Sequence, residues 1–170
     1  ELGARSIITQ LPDAERLRAR DRFSRFCDLA LPFHLTVDLE FPSWTETANL
    51  SAATTIVKEV ERNNAGILVD TLHFARSDSS LAELRALPRS WFHFVHLCDA
   101  PGEIPNSQEA LIHTARAARD FPGEGGINLR EILSAMPTVP YSLEIPNDRL
   151  QKALGDKEYA RRALATAKKF

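Results

Sequence analysis

Four residues placed at the ends of short apolar runs could do chemistry together. They are Glu40 in TVDLEF, Asp70 in ILVDTLHF, His96 in FVHLCD and Glu144 in YSLEIPN. His73 follows Asp70 by three residues, and Asp99 follows His96 by three. A lone carboxylate at the end of an apolar strand is costly to bury unless it is paired, hydrogen-bonded or bound to metal. Three carboxylates and one imidazole form a mixed oxygen and nitrogen set, suited to one divalent ion (Mn, Mg, Co or Zn) rather than to a thiolate-seeking metal. Taken singly, each reads as well as a helix cap or an ion-pair member. Their recurrence on four consecutive strands favours a shared site over coincidence.

The elements that would position these residues alternate in type. Apolar runs at Ser6 to Thr9, Leu35 to Leu39, Gly66 to Val69, Phe92 to Leu97 and Tyr141 to Leu143 lack clean in/out alternation, as parallel strands covered on both faces do. Helical patterns lie between them. Asp13 is expected to cap one carrying Leu17, Phe23, Phe26 and Cys27, and Ser51 one carrying Ile56, Val57 and Val60. Ser80, Ser107, Asn128 and Asp156 are expected to open the others. Strand and helix in turn, at about 30 residues per unit, predict right-handed crossovers and a parallel sheet. A parallel sheet puts its strand C-termini on one side, and in a barrel those ends converge. The segment from Asp99 to Gly126 is a long excursion of the kind that tends to be functional. PGEGG at Pro122 to Gly126 lacks the Lys-Ser/Thr of a phosphate loop and reads as a turn. His93, alternating with Phe92 and Phe94, reads as a packing or surface histidine, and His34 and His113 as solvated.

Composition narrows the function classes. With 170 residues, 44% hydrophobic and 26% charged, the chain can build a core, which excludes disorder and predicts one domain over residues 1–170. A net charge of -2 gives no basic excess for nucleic acid or an anionic membrane. No apolar run nears the roughly 20 residues that span a bilayer. Cys27 and Cys98 form no CxxC pair and read as buried free thiols of a reducing compartment. The chain starts at Glu1 without the pattern of a signal peptide, so a cytoplasmic location is expected.

From Ser6 nearly to the C-terminus the sequence resembles the xylose-isomerase-like barrels, the sugar phosphate isomerases/epimerases grouped with AP endonuclease family 2. The resemblance rests on LEF at Leu39 to Phe41, VDTLHF at Val69 to Phe74, VHLCD at Val95 to Asp99, PGEG at Pro122 to Gly125 and LEIPN at Leu143 to Asn147, in that order and spacing. It implies a (β/α)8 TIM barrel. A complete barrel takes about 250 residues, and the five strands here correspond to the fourth to eighth. The expectation is therefore the C-terminal five βα units: a proteolysed barrel, a half that pairs with another chain, or a homo-oligomer. The resemblance implies Glu40, Asp70, His96 and Glu144 as ligands of one divalent metal ion, and His73 at the substrate. Glu40 and Glu144 would also move protons, facing opposite sides of the substrate carbon. Where epimerases of the family carry an arginine beyond the strand-end histidine, Gly102 stands here, and Arg119 is the expected replacement, able to hold a carboxylate or phosphate.

The activity implied is isomerisation or epimerisation of a keto sugar or related hydroxy-carbonyl compound through an enediolate. Dehydroshikimate-type dehydration uses the same metal set and is the alternative, as is a non-catalytic half-barrel that needs a partner. Phosphodiester cleavage would need more histidine ligands and a basic groove, and comes last. Trp44, after the Glu40 strand, either covers substrate or packs against a neighbour.

Overall fold

The computed structural model describes residues 3–170. Five parallel strands, β1 (Ser6–Thr9), β2 (Thr36–Glu40), β3 (Ala65–Asp70), β4 (Val95–Leu97) and β5 (Tyr141–Leu143), form one sheet in sequence order. Eight α-helices lie among and after them: α1 (Arg16–Ala30), α2 (Leu50–Val60), α3 (Thr71–Ala75), α4 (Leu81–Ala86), α5 (Gln108–Ala117), α6 (Leu129–Ser134), α7 (Asp148–Leu154) and α8 (Asp156–Ala167). This is the parallel α/β arc of a partial TIM barrel, with β1 and β5 at its edges.

Period-two alternation sends one set of side chains outward against the helices and the other inward. Val37, Leu39, Ala65, Ile67, Val69 and Val95 point outward and pack on Ala19, Phe23 and Cys27 of α1 and Ala53, Ile56 and Val57 of α2. Leu39 and Ile67 are wholly buried, and each such side chain contributes about 1.5–3 kcal/mol. The inward set is far more polar: Thr36, Asp38 and Glu40 on β2, Asp70 on β3, His96 on β4, Ser142 and Glu144 from β5 and its end.

Several boundaries differ from those the sequence predicts. Glu15, not Asp13, caps α1, accepting from the Leu17 and Arg18 amides; Asp13 is occupied by Arg18 and Arg22. Asn49, not Ser51, caps α2. Gly155 precedes α8, with Asp156 inside its first turn. β4 is shorter than Phe92 to Leu97, because Arg89–Trp91 forms a 3-10 turn and only Val95 onward pairs with a neighbour. Helix α3 follows its strand at once, opened by the strand-end side chain of Asp70, whereas α7 starts after a short link from β5 and is opened by Asn147. No described helix is long and apolar enough to cross a membrane.

The excursion after β4 is fastened by Asp99. Its carboxylate is 1% exposed and accepts from the amides of Ala100 at 2.8 Å, Gly123 at 2.9 Å and Ile127 at 2.9 Å. The approach is so close that a Cβ on Gly125 would overlap both Asp99 Oδ1 and the Ala100 carbonyl. Removing a buried carboxylate leaves its donors unsatisfied at about 1–3 kcal/mol each. Asp99→Ala is expected to lower unfolding free energy by at least about 3 kcal/mol in urea titration; a loss under about 1 kcal/mol would show that the loop holds without it.

Candidate metal centre

The register delivers the four strand-end residues to one place. Glu40 lies opposite Leu68, Asp70 opposite His96, and His96 opposite Ser142, two residues before Glu144. One potential ligand atom from each of Glu40, Asp70, His96 and Glu144 lies within 4.8 Å of the other three. His96 Nδ1 is central, 3.2 Å from Glu40 Oε1, 3.2 Å from Glu144 Oε2 and 3.8 Å from Asp70 Oδ2. The side chains of Asp70, Glu40 and His96 are 0%, 5% and 5% exposed, whereas that of Glu144 is 42% exposed. Glu144 is thus the carboxylate that a molecule from solvent meets first.

Two further groups hold the carboxylates in place. Asp70 divides its oxygens: Oδ1 caps α3 through the amides of Leu72 (2.7 Å) and His73 (3.2 Å), and Oδ2 accepts from Arg119 Nη1 at 2.6 Å. Arg119 also pairs through Nη2 with Glu144 Oε2 at 3.0 Å and donates from Nη1 to the Glu144 carbonyl at 3.2 Å. Its Nε donates to the Ala115 carbonyl, and Asn147 Nδ2 donates to its own carbonyl. Arg119 is 3% exposed, so the guanidinium expected at substrate oxygens faces Asp70 and Glu144 in this structure. Gln10, directly after β1, donates from Nε2 to Glu40 Oε2 at 2.5 Å.

The electrostatics follow from this packing. Burial alone would raise Asp70, but Arg119 and the nearby histidines overcome it and bring its carboxyl down to about 2. Burial opposes charge on His96 too, yet its contacts with Glu144 and Glu40 push the imidazole up to about 9. Burial opposes the Arg119 charge, and Asp70 and Glu144 hold it protonated all the same. His73 behaves differently. It is 3% exposed, burial lowers its pKa so the ring is neutral, and its Nδ1 has no partner among the described residues. The Trp44 ring stands edge-on to it, 4.9 Å between centroids, so Trp44 packs within the same chain beside the site.

The donor set fits a divalent cation. Donors about 2.1 Å from one ion lie roughly 3–4.2 Å apart, so ligand atoms within 4.8 Å need only a small contraction. Two carboxylates and an imidazole around one point, with a third carboxylate closing the ring, also carry more negative charge than Arg119 and His96 offset.

Comparison with known proteins agrees with this architecture. A family model described as xylose isomerase-like TIM barrel matches residues 3–170. Inosose isomerase of Bacillus subtilis is 28% identical over 151 residues, 88% of this chain and 52% of that protein. A 3-dehydroshikimate dehydratase of Pseudomonas aeruginosa is 27% identical over 124 residues, 70% of this chain and 19% of that protein. The chain therefore spans about half the length of the inosose isomerase or less of its relatives. Among solved structures, the IOLI protein with a zinc atom superposes with a TM-score of 0.77 at 23% identity, covering 99% of this chain and 62% of that one. D-allulose 3-epimerase of Methylomonas sp., solved with D-allulose, gives 0.66 at 18% identity, covering 91% and 55%.

Two outcomes are expected. A cation that uses His96 Nδ1 must displace its proton. With the folded pKa near about 9, the apparent Co(II) affinity should rise about tenfold per pH unit from about pH 6 to about pH 8 and flatten near about pH 9 in calorimetric titrations; a flat profile removes His96 from the ligand set. Arg119→Met strands Asp70 as an uncompensated buried charge, with an expected cost of about 3–5 kcal/mol in denaturant unfolding. Asp70's own contribution is present above about pH 4 and is lost as pH falls through about 2, because its folded pKa lies below the ordinary 3.8.

Proposed function

The chain belongs to the xylose isomerase-like TIM barrel family, and from that premise we propose that it carries the metal and proton-transfer site of an isomerase or epimerase. The substrate class is a small keto sugar or a related hydroxy-carbonyl compound. The observation that carries the reading is the convergence of Glu40, Asp70, His96 and Glu144 at the C-terminal ends of consecutive parallel strands, where barrel enzymes place their chemistry. The inosose isomerase and epimerase relatives, and the zinc in the IOLI structure, support it.

Glu40, Asp70, His96 and Glu144 would hold one divalent cation, which when bound supplies Lewis acidity to a carbonyl and an adjacent hydroxyl oxygen and so acidifies the neighbouring C–H. The protein's residues divide the remaining work. Glu144, the exposed carboxylate, takes the proton from the substrate carbon, leaving an enediolate. Glu40, enclosed and oriented by Gln10, returns a proton at the opposite face or the next carbon. His73, neutral and with a free ring nitrogen, is placed to hold a substrate hydroxyl. Arg119 acts through Asp70 and Glu144, fixing their oxygens. The dehydratase relative favours a second reading in which the same acidified C–H is used and a β-hydroxyl leaves.

The test is solvent exchange. Incubated in D2O with Mn(II) and inosose or a ketohexose, the chain should place deuterium on the carbon next to the carbonyl. EDTA and Glu144→Gln should each reduce incorporation at least about 100-fold while the fold persists by circular dichroism, as expected for loss of a general base. Exchange that survives Glu144→Gln would reassign the base, and no exchange with any hydroxy-carbonyl compound would overturn the proposal.

A further inference from the structure

A second polar contact joins β2 to the segment that leads into β4, one layer below Glu40 and His96. His93 Nδ1 lies 2.5 Å from Asp38 Oδ1, and the other Asp38 oxygen accepts from Thr36 Oγ1 at 2.9 Å. The Asp38 side chain is 1% exposed and that of His93 25%. Asp38 sits on β2, two residues before Glu40; His93 enters β4, three residues before His96. Between them runs β3, where Gly66 is the register partner of Asp38. A Cβ on Gly66 would overlap both Asp38 Oδ1 and His93 Nδ1, so the contact passes over β3 only because that residue is glycine.

The backbone holds β4 to β5 through three residue pairs, but its ladder on the β3 side, toward β2, is short. Only Val95 and His96 pair with β3. The preceding residues, Phe92 to Phe94, have no ladder partner on it, and a short ladder specifies register weakly. Two side-chain rungs therefore set β4 against β2: Asp38–His93 below, and Glu40–His96 above at 3.2 Å. Phe94, next to His93, stands edge-on to the His96 ring, 5.6 Å between centroids.

We propose that Asp38 and His93 are a positioning pair for the metal centre, fixing the offset between β2 and β4 and hence the spacing of Glu40 and His96. The proposal rests on the metal-site reading above. Neither residue touches the cation or the substrate. Their effect is on how well the ligand atoms are preorganised; groups that hydrogen-bond a ligand directly change metal affinity by about 10–100-fold, and a pair one step further out acts at the lower end of that range.

The experiment compares Co(II) binding and the Co(II) visible spectrum in the wild-type chain and three variants. His93→Phe removes the rung. Gly66→Ala keeps both partners and forces them apart. Asp38→Asn keeps an acceptor of the same shape. Expected is a loss of affinity of about tenfold or more for His93→Phe and Gly66→Ala, with altered d–d bands, and near wild-type values for Asp38→Asn. Urea unfolding separates this from simple destabilisation. Variants that lose stability but keep affinity and spectrum would make the pair structural only and overturn the proposal. Should His93→Phe not fold, His93→Asn at this partly exposed position carries the same comparison. A folded wild-type chain that binds no Co(II) would instead sink the metal-site reading, and this proposal with it.

Discussion

A guanidinium shut inside the sheet's rim is what allows carboxylates to gather there. Asp70 is wholly buried, and buried carboxylates without a counter-charge shed their charge by taking a proton. Arg119 prevents this by reaching Asp70 and Glu144 at once. Its own placement depends on the strand-to-helix junctions around it. The Ala115 carbonyl at the end of α5 and the Asn147 amide at the start of α7 hold it, and the backbone of Ala118 bridges that of Asn147. The centre is thus assembled by the ends of elements distant in sequence, and each junction serves the fold and the site together.

The outward face of the sheet makes this arrangement rigid. Aliphatic side chains of β2 and β3 are packed against α1 and α2 with little exposure, so the strands cannot slide without disturbing a continuous core. A slip by one residue would exchange Leu39 for Glu40 on the inner face. The chemistry-bearing residues are fixed from behind by apolar packing and from the side by hydrogen bonds, while Glu144 alone stays open to solvent.

The sequence made these residues visible because each interrupts an apolar run at or within a residue of the end of a parallel strand. Asp38 was hidden for the same reason: inside TVDLE it sits within the run, and nothing in the pattern says that a histidine two strands away waits for it. Gln10 carries no signal either, since an amide after a strand is ordinary until the fold brings Glu40 beside it. Arg119 was legible as a candidate arginine for the site, but not the direction it faces: it turns to Asp70 and Glu144, with Asn147 holding its carbonyl. The five-residue α3 and the seven-residue α7 are too short for a helical periodicity to emerge, and the cap of α3, Asp70, doubles as a strand end. Where caps were misassigned, the preferred residue was an acidic or hydroxyl side chain a position or two away, within the ambiguity of a local signal.

The fixed charge of Arg119 has a bearing on which ions the centre would accept. Three carboxylates opposed by one permanent cation leave a deficit of two positive charges, once the imidazole is neutral. In a region of low polarity, charge imbalance is expensive. A singly charged ion would leave the cluster anionic and a triply charged one would leave it cationic. On the proposed reading, charge balance around the buried members of the cluster would favour a doubly charged ion, and the arginine, which would bind no ion itself, would set that count.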